Sequence, residues 1–313
     1  MKMPEENTSP VLTDELKFKI RNLVDIYYDI QELRIAIGNR ICASFRIEDS
    51  KSDKEDDKII SALKSEYTRI TDVYAAMFNS TGKIIKAISA TDNLKFIKDQ
   101  ISYKLVKRYV DLLDTEKDCV ADITRVVKTH PMYEIFFEGA RGCGPITAAV
   151  CIAYFDIHKA RHVSSLWSYV GVGVRVNSEG ERIAMSRRAL IDQEYVDAEG
   201  KTKTRKSLGY NSRLHDYFLG VFVSNCLRAR GGVYCEAYYD YKNRYQNRSD
   251  LKNASAERIH LMASRQCVKV FLRDLWCSWR SYEGYTLSEP YEVEYLGNAP
   301  HKYNEAHTRM ALC

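Results

Sequence analysis

From Asp14 onward, apolar residues recur at steps of three and four. Leu16, Ile20, Leu23, Tyr27 and Ile30 draw one stripe, which predicts an amphipathic helix capped at Thr13 and running to about Phe45. Residues 1–12 read as a loose polar tail. The segment 47–57, IEDSKSDKEDD, is dense in charge and nearly free of apolar residues, so it reads as a loop or linker. A second helix is expected with Ile59, Leu63, Ile70, Val73 and Met77 on one face, broken at Asn79–Gly82. A third, over 92–128, carries Ile97, Ile101, Leu105, Leu112, Leu113, Val120 and Ile123. It ends at His130–Pro131, because the residue before proline is pushed out of helical geometry. Residues 1–130 are therefore expected to form a long-helix arm, a bundle or coiled coil, of a kind that serves self-association or an antiparallel hairpin.

Beyond Pro131 the texture changes. A short apolar helix over 132–139 runs into Arg141-Gly142-Cys143-Gly144-Pro145, and a second apolar helix begins at Pro145. Short strands are expected at Val174–Asn177, Arg182–Met185 and Glu194–Val196, with a turn at Asp197-Ala198-Glu199-Gly200. Helical periodicity resumes over 211–229, 233–246 and 255–280. In the last of these Ile259, Met262, Val270, Leu272, Leu275, Trp276 and Trp279 are core candidates. The predicted fold is mainly α. A helical arm over 1–130 precedes a helix–hairpin–helix domain over 131–285 with a small β-hairpin insertion, and 286–313 form an irregular tail.

Composition narrows the class. The chain has 313 residues, 45% hydrophobic and 28% charged, which describes a soluble globular protein. It shows no apolar run suited to a signal peptide and none near the roughly 20 residues that span a bilayer. Nine cysteines, an odd number without CxxC spacing, indicate neither a disulfide framework nor a zinc site, and a reducing, cytoplasmic setting is expected. The net charge of +5 is unevenly spread. Residues 1–130 hold 22 basic and 22 acidic residues, and 131–200 hold 7 and 9. Residues 201–280 hold 16 and 6, a concentration of positive charge suited to phosphate backbones. A solvated basic surface is the blander alternative.

The glycine turn gives that charge a partner in chemistry. Glycine permits positive φ and close backbone approach, and proline at the first helical position loses no hydrogen bond. Amides at the start of the second helix are then available to a phosphate oxygen, with the helix dipole behind them. Arg141, Gly142, Gly144 and Thr147 are the candidate contacts there, with Lys159 and Arg161 following. An ordinary tight turn between two helices is the structural alternative. Further candidate nucleic-acid contacts are Arg175, Arg182, Arg187 and Arg188, the cluster Lys201, Lys203, Arg205 and Lys206, and Arg213. Tyr234, Tyr238, Tyr239, Tyr241 and Tyr245 are interleaved with Arg and Lys, an arrangement able to stack on bases, although Tyr238 and Tyr245 suit a packed face equally well.

The run from His130-Pro131 through Gly142-Cys143-Gly144-Pro145-Ile146-Thr147-Ala148-Ala149, then Asp156-Ile157, Ser165-Leu166-Trp167-Ser168-Tyr169 and Gly171-Val172-Gly173, resembles one known family. It is similar to the C-terminal domain of the insertion-sequence transposases related to Piv-type DNA invertases. Members join a RuvC-like DEDD domain, through a coiled coil, to a helix–hairpin–helix domain bearing a catalytic serine. The resemblance spans roughly 95–280 and is best over 129–173. It implies DNA recombination, with Ser178 of Asn177-Ser178-Glu179-Gly180 as candidate nucleophile and Arg175, Arg182, Arg187 and Arg188 as nearby positive charge. The RuvC-like half is not recognisable, since residues 1–130 read as helical throughout. Asp111, Asp114, Asp118 and Asp122 describe a solvated helix face rather than a metal quartet.

Two function classes follow. One is a DNA transposase or recombinase acting on phosphodiester backbones, for which Mg2+ enters only with a nuclease domain supplied elsewhere; no other cofactor is evident. The other is a non-catalytic DNA- or RNA-binding or structural protein derived from a transposase. Both expect DNA as partner, admit a structured RNA, place self-association in the helical arm and involve no membrane. The expected setting is the cytoplasm of a prokaryote or a virus-infected cell.

Overall fold

A computed structural model describes residues 14–45, 53–74, 96–97, 100–176, 180, 182–185 and 190–287. Residues 1–13, the expected break at Asn79–Gly82, Ser178, Arg187, Arg188 and the tail beyond 287 lie outside these. The fold is mainly helical with two small antiparallel strand pairs. It divides into two units, Asp14–Val126 and a second that begins at Val127. Among the described residues no helix is long and apolar enough to cross a membrane.

The first unit holds α1 (Asp14–Phe45), α2 (Asp53–Tyr74) and most of α3 (Gln100–Val127). Its core gathers Ile41, Cys42, Ile59, Leu63, Ile70, Ile97, Tyr103, Val106 and Tyr109. α1 and α3 run antiparallel: Arg34 and Gln31 reach Glu116, while a Cβ on Gly38 would lie 3.1 Å from the Tyr109 ring. Three expectations need correction. Residues 53–57 are helical rather than loop, because Glu55, Asp56 and Asp57 stand in the opening turn of α2, where the helix dipole favours carboxylates. α3 begins at Gln100, not 92, and Ile97 is buried ahead of it, its amide and that of Phe96 donating to the Glu66 carboxylate (both 3.0 Å). Over the first turns of α3 the buried positions also differ from those expected, whereas Ile123 further on is buried as expected. Tyr103, Val106 and Tyr109 are buried, whereas Ile101 and Leu105 are exposed. Amphipathic tyrosines can bury a ring and keep the hydroxyl near solvent, so they claimed the face that aliphatic counting assigned elsewhere. Asp111, Asp114 and Asp122 pair with Lys107, Lys117 and Arg125 on the exposed side.

The second unit is built around one buried helix. Between Pro131 and the turn, the expected helix over 132–139 is a single π-turn, Tyr133–Phe137, that buries Phe136 and Phe137. Then follow α4 (Pro145–Tyr154) and α5 (Val163–Val170). The strands β1 (Val174–Val176) and β2 (Arg182–Ala184) pair with Arg175 opposite Ile183. A separate pair, β3 (Ile191–Val196) and β4 (Thr202–Ser207), sets Gln193 opposite Arg205. The expected turn between them forms, with Asp197 Oδ1 accepting the amides of Glu199 (3.0 Å) and Lys201 (2.8 Å) and Gly200 at φ +79°. α6 (Ser212–Asp216), a π-segment (Tyr217–Phe222) and α7 (Val223–Arg228) follow one another without a break, where one regular helix was expected. α8 (Val233–Gln246) and α9 (Ala256–Tyr282) complete the unit.

α9 starts where Ser255 accepts the Arg258 amide and is buried on nearly all sides. Phe271 is its centre, with ring centroids of Phe222 at 4.4 Å, Tyr234 at 5.3 Å, Phe136 at 5.6 Å and Phe218 at 5.9 Å. Trp276 and Trp279 are packing residues, as expected from their spacing, and the Trp276 indole donates to the Ala160 carbonyl (2.7 Å). Arg265 ties the β1–β2 region to this helix by donating to the carbonyls of Gly171 (2.9 Å) and Met185 (3.2 Å).

Candidate nucleic-acid interface

The two glycines of the 141–145 turn have different duties. Gly142 sits at φ +92°, and a Cβ there would stand 2.8 Å from the Cys226 Cα on α7. Backbone conformation and close packing both demand glycine at that position. Gly144 is extended (φ −92°, ψ 179°), and a Cβ on it would meet nothing within 4 Å. It is exposed, precedes Pro145 and caps α4 without any side-chain hydrogen bond. Pro145 has no N–H, Thr147 is buried and the Ala148 amide donates to the Gly144 carbonyl (3.2 Å), so the half-buried Ile146 amide is the first-turn donor nearest an acceptor from outside.

Arg141 joins this turn to a second glycine loop. Arg230, Gly231 and Gly232 take φ of 48°, 135° and 86° in succession. A Cβ on Gly231 would lie 3.3 Å from Nη1 of Arg141, and one on Gly232 would lie 3.0 Å from the Arg141 Cβ. The arginine side chain is thus laid along bare backbone at the start of α8, another helix whose glycine N-cap carries no side-chain bond. Arg141, Arg228 and Arg230 are exposed. The sequence offered Arg228 and Arg230 only as members of a basic run. Their neighbours Gly231-Gly232 were the signal that a second backbone-exposing loop meets the first.

Other candidate residues fall in varied places. The Thr147 side chain is a core group rather than an outward contact: it is 1% exposed and accepts a hydrogen bond from the Tyr217 hydroxyl (2.8 Å). The cause is helical phase, since Thr147 shares its face with the buried Ala148 and Cys151. Lys159 and Arg161 are exposed, with Lys159 3.2 Å from Asp156. Arg175 is half-buried on β1, its guanidinium 3.9 Å from where a Gly209 Cβ would be. Arg182 lies on β2 and Arg213 is exposed on α6.

The cluster at 201–206 needs the largest revision. It lies on the second strand of the expected β-hairpin insertion, but the partner strand is acidic. Asp192, Glu194, Asp197 and Glu199 stand against Lys201, Lys203, Arg205 and Lys206, so the β3–β4 hairpin carries no net charge. Lys206 pairs with Asp192 and Lys203 with Asp197, both at 2.7 Å. Part of the positive excess over 201–280 is also spent inside the fold: Arg265 on carbonyls, Arg280 between Trp276 and Tyr285, and Lys269 over Trp167. The exposed cations of the glycine loops, by contrast, remain at the surface.

The aromatic and thiol groups divide in the same way. Tyr234, Tyr238 and Tyr245 are buried, and Tyr238 meets His260 Nδ1 at 2.6 Å. Burial, reinforced by the Asp274 carboxylate, pushes the Tyr234 phenol well above its ordinary range, so it stays protonated. Tyr239 is 54% exposed. Burial likewise pushes the Cys143 thiol well up, which removes it as a nucleophile despite its place in the turn. Among the described residues no group of three His, Cys, Asp or Glu side chains is arranged to hold a metal ion.

Comparisons with protein-family models, curated proteins and solved structures return no match. The functional reading therefore stands on these residues and their chemistry.

Proposed function

We propose that the protein binds DNA by its phosphate backbone, as a transposase- or recombinase-like protein, through the two glycine loops of its second unit. The observation that carries the proposal is the exposed, uncapped start of α4 at Gly144, set beside an Arg141 side chain laid across Gly231-Gly232. The Ile146 amide at this helix N-terminus and the exposed guanidinium groups together suit a phosphate oxygen. Such contacts position a backbone and carry no base information, so the grip is sequence-tolerant.

Binding of labelled duplex DNA, measured across a salt series, tests this. Gly144→Val fills the open space at the α4 start while keeping an allowed extended backbone, and is expected to weaken binding about tenfold on unrelated sequences alike. Its own cost to stability, about 1 kcal/mol or less, comes from a poorer N-cap residue. Unchanged affinity and unchanged salt dependence would remove the turn from the interface. The same incubations, with and without Mg2+, carry a catalytic arm. A serine nucleophile at Ser178, supported by the family resemblance, breaks one phosphodiester P–O bond, releasing a strand end as a free hydroxyl and leaving a phosphoserine-linked DNA adduct that Ser178→Ala abolishes. Binding without product in either protein favours the non-catalytic form of the proposal.

The proposal includes self-association through the helical unit. Phe18, Ile26, Leu33 and Ile35 of α1 are 47–61% exposed, a costly display for a helix with no further partner. Leu33→Glu is expected to lower the molar mass seen by sedimentation. A mass equal to that of one chain in the unsubstituted protein defeats this part.

A further inference from the structure

The β3–β4 hairpin is exposed along both strands, and its register sorts its charges by face. Residues directly opposite share a face, and successive residues alternate. One face therefore carries Gln193, Tyr195 and Asp197 with Lys201, Lys203 and Arg205. The other carries Asp192, Glu194 and Val196 with Thr202, Thr204 and Lys206. With Glu199 in the turn the hairpin is neutral as a whole, yet it is bipolar: three cations against one carboxylate on the first face, two carboxylates against one cation on the second. On the first face the Arg205 guanidinium lies 5.3 Å from the Tyr195 ring centroid and shares Gln193 Oε1 at 3.3 Å, so its fork is held in place across the strands without an acidic partner.

Resting on the DNA-binding reading above, we infer that this hairpin is the sequence-reading element: a two-stranded ribbon entering the major groove of duplex DNA with its Gln193–Tyr195–Arg205 face inward. A B-form major groove of about 12 Å admits such a ribbon. Arginine and glutamine are the side chains that pair bidentately with guanine and adenine edges, and here they stand side by side. Lys201 and Lys203 flank them toward the turn as phosphate contacts. The acidic face is repelled by the backbone and sets which way round the ribbon enters. Lys206 lies on the acidic face and is thereby excluded from the contact.

The test is selection of a randomised duplex pool by the full-length protein, followed by sequencing, with two variants that each lower the net charge by one unit. Arg205→Gln alters the inferred reading face, and Thr202→Glu the opposite one. The unsubstituted protein is expected to enrich a preferred site. Arg205→Gln is expected to lower discrimination at one position about tenfold, and Thr202→Glu to leave the profile unchanged. Gly144→Val should lower recovery of all sequences without changing the preference. Equal effects of Arg205→Gln and Thr202→Glu, or none from either, overturn the inference while leaving the backbone grip intact if Gly144→Val still weakens binding. A pool recovered without any preference also overturns it, and failure to retain duplex DNA at all overturns both readings.

Discussion

Gly142→Ala is expected to destabilise the second unit by about 3 kcal/mol. Two costs combine: about 1–2 kcal/mol for a side chain at positive φ, and a similar amount for forcing a methyl against rigid backbone. At φ +92° the new Cβ would stand 2.8 Å from the Cys226 Cα and 3.1 Å from its amide nitrogen, neither of which can rotate away. The turn or α7 has to move, and Phe222 and Cys226, both 0% exposed, move with it. The three tryptophans, Trp167, Trp276 and Trp279, all belong to this unit, so their fluorescence reports its unfolding alone. A urea midpoint lowered by about 1.5 M is expected at an ordinary dependence on denaturant. A midpoint within 0.3 M of the unsubstituted protein, in order-of-magnitude terms, would mean that the turn is not packed on α7 as described. Compared with Gly144→Val, the substitution separates the two roles of one short motif: position 142 holds the fold and position 144 faces outward.

Phe271→Ala is expected to cost about 4 kcal/mol, the usual range for emptying a buried phenylalanine site being about 3–5 kcal/mol. The ring is fully buried and touches aromatic groups from the Tyr133–Phe137 turn, the Tyr217–Phe222 segment and α8. Those elements enter the core from separate parts of the chain, so collapse into the space by any one of them would strain the others. Near-ultraviolet dichroism is expected to weaken together with the tryptophan-monitored midpoint. A loss under about 1 kcal/mol would show that the neighbours refill the site, and the cluster would then not be the keystone of the unit. The consequence for function is indirect but specific. α7, which continues the π-segment, and the start of α8 bracket the 229–232 loop, so a loosened Phe271 site is expected to weaken DNA binding through loss of loop order.

Much of the architecture was legible in the pattern of the chain. α1 ends at Phe45 and α8 runs from Val233 to Gln246, where 3.6-residue periodicity and glycine breaks placed them. The Asp197–Gly200 turn follows from an aspartate that hydrogen-bonds its own following amides and a glycine free to take positive φ. The failures have physical causes too. The acidic start of α2 resembled a linker because charge density alone does not distinguish a solvated loop from a dipole-stabilised first turn. The start of the α3 face was misplaced because Tyr103 and Tyr109 were not counted among its buried residues. The π-turns left no periodic mark, since a single inserted residue in a helix is set by what the side chains must reach.

The candidate site divides along the same line. The sequence by itself determined that a glycine–proline turn opens a helix at 145, that arginines stand beside it, and that positive charge gathers in the second half of the chain. These are properties of residue type and local spacing, which short-range sterics and hydrogen bonding express wherever the chain goes. Only the tertiary structure decided that Gly142 faces α7 while Gly144 faces solvent, that Thr147 turns into the core, and that Arg141 lies on Gly231-Gly232 some ninety positions away. It also decided that the basic residues at 201–206 are balanced by the acidic residues at 192–199 of the same hairpin, leaving a charge difference between faces rather than a charge. Contacts between distant segments depend on how buried area is shared among helices, and that sharing has no signature in any single stretch of sequence.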